Sequence, residues 1–314
     1  MTRGIGPADG GDGGDGGDGG DGGDGGGLGV LVSKSDVIRP IGVSPALKKL
    51  PGEAWYRGYK WPPADLAGLW SNTTATTFPR RSWSFHHYSI AILGEFVQAN
   101  AAGVQWDGIA LPAVPTGPQL QSELDELIEL IEYRPGVMTE ALAQRTNLGN
   151  YWRGVLMFDG MSHPWTSDLL EIALTVGQFQ AMHYKRVFHR ARPSQYSPAL
   201  LPPIPVPGHA SYPSGHATEA YLMARCLRSV MPPVAGLPLA APPPLTPPPP
   251  YRSPLMRMAQ RIARNREVLG LHFPTDSEAG RQLAMTSFDI LMQCPTVMNE
   301  IVPNATQEWQ APRY

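Results

Sequence analysis

The chain has 314 residues, 42% of them hydrophobic, a formal net charge of −2 and two cysteines. That length supports one globular domain with a sizeable core, and the near-neutral balance argues against nucleic acid as a partner. No apolar run is long enough for a membrane span, and the first residues lack the apolar stretch of a signal peptide. A cytoplasmic location is therefore expected, with Cys226 and Cys294 as buried free thiols.

In chain order, residues 9–26 repeat Asp-Gly-Gly six times. Nothing apolar recurs in the tract to pack a calcium-binding coil, and a Gly-rich polar run cannot offset its ordering entropy. Residues 1–27 are read as a disordered tail and 28–80 as an irregular N-terminal segment. Residues 81–295 form the helical domain, and 296–314 a C-terminal extension.

Helices are predicted over about Ser82–Gly103 and Pro118–Tyr133. In the second, Leu120, Leu124, Leu127, Ile128 and Ile131 share one face. A third runs from about Pro164 to Arg190, and others span about 215–231, 254–269 and 276–293. Ser253-Pro254 offers a cap and a first-turn proline, and Asp276 or Ser277 can cap the last helix. Strand signals are sparse, so the fold class is all-α, a single helical bundle. Proline-rich connections at 193–213 and 232–250 are read as a stiff wall at a pocket mouth and a surface crossing.

Three stretches carry chemistry: KRVFHRARP (185–193), PSGH (213–216) and RNREVLGLHFPTD (264–276). Lys185 and Arg192 are seven residues apart, two helical turns, so both can project from one helix face. Pro193 then ends the helix, leaving Arg192 on its terminal turn with a planar fork for two oxygens of an anion. Ser214 and Gly215 stand where a helix opens, so unpaired backbone N–H groups and the positive dipole end meet there. Arg266 adds a third cation. Asp276, four residues after His272, can orient that ring and decide which nitrogen is exposed. Any one of these features alone is ordinary: a solvated cation, a turn, a satisfied histidine. Together they describe a pocket for a tetrahedral anion. His86, His87, His163, His183 and His189 read as packed or solvated.

The pattern K-x6-RP, PSGH, R-x5-H-x3-D resembles the signature of the superfamily of type 2 phosphatidic acid phosphatases and vanadium-dependent haloperoxidases. The third motif here begins Asn265-Arg266 where the family usually has Ser-Arg. The resemblance implies a helical bundle of the acid phosphatase/vanadium haloperoxidase type with 81–295 as its catalytic domain. Lys185, Arg192, Ser214, Gly215 and Arg266 would bind the oxyanion, and His216, His272, Asp276 and His209 would form the catalytic set. In one branch His272 binds vanadium in a vanadate cofactor, and peroxide oxidises bromide or iodide. In the other no cofactor is needed, and His272 attacks a phosphate ester while His216 protonates the leaving alcohol.

His209, five residues ahead of Ser214, and the absence of membrane spans favour the haloperoxidase-like branch. A soluble acid phosphatase is the alternative, and a non-catalytic phosphate-binding relative a distant third. The partners implied are small molecules: peroxide with halide, or a phosphate ester. Homo-oligomerisation is left open.

Overall fold

The computed structural model describes residues 77–232 and 253–310. The Asp-Gly-Gly tail, nearly all of the 28–80 segment and most of the 232–250 proline run lie outside the described residues. Among the described residues the chain is mostly helical, as expected. Its one sheet is a two-residue antiparallel ladder of β1 (Asn100–Ala101) and β2 (Val104–Gln105), with Asn100 opposite Gln105. Among the described residues no helix is long and apolar enough to cross a membrane.

Helices α1 (Phe85–Phe96), α2 (Gly117–Glu129), α3 (Arg134–Thr146), α4 (Gly149–Leu156) and α5 (Pro164–Phe188) are followed by a single turn at Pro193–Tyr196. Then come α6 (Gly215–Val230), α7 (Pro254–Val268), α8 (Pro274–Leu291) and α9 (Val302–Gln310). Helices α5, α6 and α8 make the centre: Ile172 and Val176, Ala220 and Leu227, and Leu283 and Ile290 share one buried cluster. Prolines open α5, α7 and α8 at first-turn positions, where no N–H is missed. Ser253 precedes α7 without a side-chain cap bond, so only its proline works as expected.

The segment expected as a C-terminal extension is part of the core over residues 297–310. Val297, Ile301 and Ala305 are fully buried in the main cluster. Glu308 accepts hydrogen bonds from the Trp165 and Thr166 amides at the start of α5, where a carboxylate complements the helix dipole. Cys226 and Cys294 are buried and unlinked, and burial pushes the Cys294 thiol up to about 12.

Two close approaches place the site. Gly270, with φ of +73°, turns the chain between α7 and His272. Gly280 on α8 lies against the start of α6: a Cβ there would stand 2.7 Å from the Ser214 carbonyl oxygen and 2.9 Å from the Ala217 Cβ. Neither neighbour is a flexible side chain. Gly280→Ala is therefore expected to lower stability by about 1–3 kcal/mol through overpacking, outweighing the roughly 1 kcal/mol gained in helix propensity. Urea denaturation checks the sign; an alanine variant as stable as the parent would contradict the packing.

Candidate active site

Lys185 occupies the last turn of α5, but Arg192 does not share that helix. His189 takes a left-handed conformation and ends α5. Pro193 then holds Arg192 extended, at φ −74° and ψ 153°. The expected pairing on one helix face is thus corrected: a left-handed His189 followed by an extended Arg192, rather than two helical turns, brings both cations to the 209–211 loop. Lys185 Nζ donates to the carbonyls of Ala210 (2.8 Å) and Ser211 (3.1 Å). Arg192 Nε donates to the His209 carbonyl at 3.0 Å, and Nη1 to the Leu271 carbonyl at 2.9 Å. The proline-rich 193–213 connection therefore orients both cations through its backbone.

Ser214 caps α6, its hydroxyl accepting from the Ala217 amide, and its own amide donates to the Asp276 carbonyl at 3.0 Å. Gly215 and His216 form the first turn, where backbone N–H groups have no partner within the helix. His216 Nε2 stands 3.1 Å from the Gln144 carbonyl, which can only accept, so that nitrogen carries the proton. Arg266 donates to the Ala141 carbonyl one turn earlier on α3. The end of α3, which presents carbonyls as every helix end does, thus holds both Arg266 and His216. Asn265 secures it by donating to Gln144 Oε1 at 2.8 Å and Glu140 Oε1 at 3.1 Å. Asn265 therefore ties α7 to α3 in this chain.

His272 is fully buried. Its Nδ1 lies 3.2 Å from Asp276 Oδ2, and its Nε2 lies 3.1 Å from Arg192 Nη1. A guanidinium only donates, so Nε2 accepts and Nδ1 holds the ring proton. Asp276 is in turn saturated. Oδ2 accepts from the Ser211 hydroxyl (2.5 Å) and the Phe273 amide (3.0 Å), and Oδ1 accepts from Arg190 Nη1 (2.6 Å). Burial alone would push the carboxyl up; the bonds from His272, Arg190 and Ser211 outweigh it and hold it at about 2. Because α8 begins at Pro274, Asp276 is inside its first turn rather than capping it, and it serves helix start and histidine together.

His209 reaches the same cluster: Arg192 Nη2 donates to its Nδ1 at 3.0 Å. Lys185, Arg192, His209, Ser214, His272 and Asp276 thus share one hydrogen-bonded cluster that runs through Ser211, while His216 and Arg266 meet at the end of α3. Arg190, Glu123, Ser211 and Gln144 were missed. Arg190 sits inside the KRVFHRARP stretch and could have been questioned there, whereas the other three carry no local signal. A groove of about 1330 Å³, bordered by Glu126, Tyr133, Arg257, Arg264 and Glu267, is lined by none of the nine site residues. Neither the protein-family models nor the curated proteins compared with the chain match it.

Proposed function

We propose that this chain is an oxyanion-processing enzyme, a vanadium-dependent haloperoxidase-like oxidoreductase that oxidises bromide or iodide with hydrogen peroxide. The observation that carries the reading is the state of His272: a buried imidazole with Nδ1 held by Asp276 and the Nε2 lone pair turned toward Arg192. A ring nitrogen that accepts rather than donates, with the Arg192 guanidinium beside it, is what a ligand or a nucleophile needs.

Vanadate carries its own oxygens, so it would call for cations, backbone N–H groups and one nitrogen ligand. Lys185, Arg192 and Arg266, the Ser214–Gly215 turn and His272 make up that set. Among the described residues no group of three or more His, Cys, Asp or Glu side chains could chelate a bare cation, so the donors fit an oxyanion better. Bound vanadate would supply the oxidation of halide by peroxide, and His272 Nε2 would hold the vanadium. The cations neutralise the oxyanion charge. His216 moves protons, exchanging its contact with Gln144 as it does so. His209, hydrogen-bonded to Arg192, is assigned to the peroxide or halide side.

The Nε2 lone pair equally favours an acid phosphatase reading. There Nε2 attacks phosphorus in line, the ester P–O bond breaks, and the leaving oxygen takes a proton from His216. Water activated by His216 then hydrolyses the phosphohistidine.

One paired assay separates them. Purified protein is tested for p-nitrophenyl phosphate hydrolysis, then for bromination of monochlorodimedone with peroxide, with and without orthovanadate. Bromination that requires vanadate is expected. Phosphatase activity that vanadate only inhibits would transfer the assignment to the second reading, and no turnover in either would leave a phosphate-binding protein.

A further inference from the structure

Behind His272 a line of charged groups runs through the protein that none of the three motifs requires. Arg190 sits at its centre with its side chain almost wholly buried. Its Nη1 donates to Asp276 Oδ1 at 2.6 Å and to Thr275 Oγ1 at 2.8 Å, and its Nη2 donates to Glu123 Oε2 at 2.8 Å. Glu123, on α2, accepts the Thr275 amide at 2.8 Å with its other oxygen. The guanidinium lies over the Phe273 ring, 3.7 Å from its centroid. The Arg190 carbonyl accepts the Ser211 amide at 2.8 Å, and the Ser211 hydroxyl in turn donates to Asp276.

We propose that Arg190, braced by Glu123, is a positioning residue for His272: it pins Asp276 Oδ1 so that Oδ2 must face Nδ1, and so acts together with the Arg192 donation to Nε2 in keeping that nitrogen unprotonated. The geometry argues against a merely structural ion pair. A carboxylate rotates about its terminal torsion easily, and Oδ2 faces three donors only while Oδ1 is held from the opposite side. A guanidinium presents donors in a fixed plane, so the Glu123–Arg190–Asp276 line transmits the placement of α2 to the imidazole. A lysine in place of Arg190 keeps the charge and loses the plane. The proposal rests on the reading of His272 as axial ligand or nucleophile, but its first readout does not.

The test is the tautomer of His272 in the resting, anion-free protein, read from ¹⁵N-histidine spectra and assigned by loss of its signals in His272→Gln. The wild-type protein is expected to show a single Nδ1–H form. Arg190→Lys and the near-isosteric Glu123→Gln are expected to show a mixture with Nε2–H. Turnover in whichever paired assay the wild type passes is expected to fall by about 10–100-fold in kcat, as for lost outer-shell partners of a ligating histidine, with KM little changed. A wild type already in the Nε2–H form overturns the proposal, even if neither variant folds. So does an unaltered single tautomer in a folded variant. A wild type without turnover, but whose tautomer shifts in the variants, sinks the functional reading and leaves this proposal standing.

Discussion

His272→Ala is expected to lower turnover by about 10⁴–10⁶-fold, the loss that follows removal of a nucleophile from a catalytic set acting as a unit. The argument is one of division of labour. Lys185, Arg192 and Arg266 are oriented by carbonyls of the 209–211 loop, Leu271 and α3, none of which depends on the imidazole. The α6 N-terminus is likewise built without it, capped by Ser214. The proposed anion cradle should therefore survive while the nitrogen assigned to the reaction disappears. Binding of inorganic phosphate, measured as a concentration-dependent rise in melting temperature, is expected to stay within about tenfold of the parent by this reasoning. Turnover and binding would then separate, which no general unfolding could imitate. A variant that keeps activity within about tenfold would refute the role given to His272.

The contacts of the candidate site that are local are legible in the sequence, and the tertiary ones are not. PSGH opens α6 because a serine cap and a glycine are both within four residues, and Asp276 meets His272 because a carboxylate in the first turn of α8 reaches back across the extended Phe273 to the residue before it. The K-x6-RP spacing was misread geometrically, since a left-handed His189 is not encoded by any turn residue such as glycine or asparagine. Helix α3 was not predicted. Its stretch RPGVMTEALAQRT pairs a proline and a glycine with sparse apolar residues, and it is held by Arg134 donating to the carbonyls of Leu200, Leu201 and Val268. Without α3 the partners of His216 and Arg266 were invisible. In the sequence Glu123 is one more polar position on an amphipathic helix; its meaning comes from Arg190, 67 residues away. The C-terminal helix has only a short pattern interrupted by Pro303, and it follows directly on a π-helical stretch at Val297–Ile301 rather than opening on its own.

Asp276→Ala carries the largest expected stability effect, about 3 kcal/mol, at the lower end for breaking a buried ion pair because Glu123 still faces Arg190. The same substitution removes the acceptor of the Ser211 hydroxyl and the Phe273 amide, so the start of α8 loosens with it. Asp276→Asn keeps the volume but not the acceptors: whichever way the amide turns, its NH₂ meets either Arg190 or the donors of Ser211, Phe273 and His272. Both variants should therefore be less stable than the parent, and neither should hold His272 in one tautomer. Acid titration gives an independent check of the sign. The Asp276 carboxyl is held at about 2 in the folded protein against an ordinary 3.8. A depressed folded value stabilises the native state above the ordinary pKa, and that stability is lost as pH falls from 3.8 through 2. For the anion-free parent this contribution is about 2 kcal/mol. The parent-minus-Asp276→Ala stability difference, from urea midpoints, should thus shrink across that window and stay constant between pH values well above it. A difference that instead held steady down to the lower limit would mean that the carboxylate is not charged and gripped as the Arg190 and Ser211 contacts require.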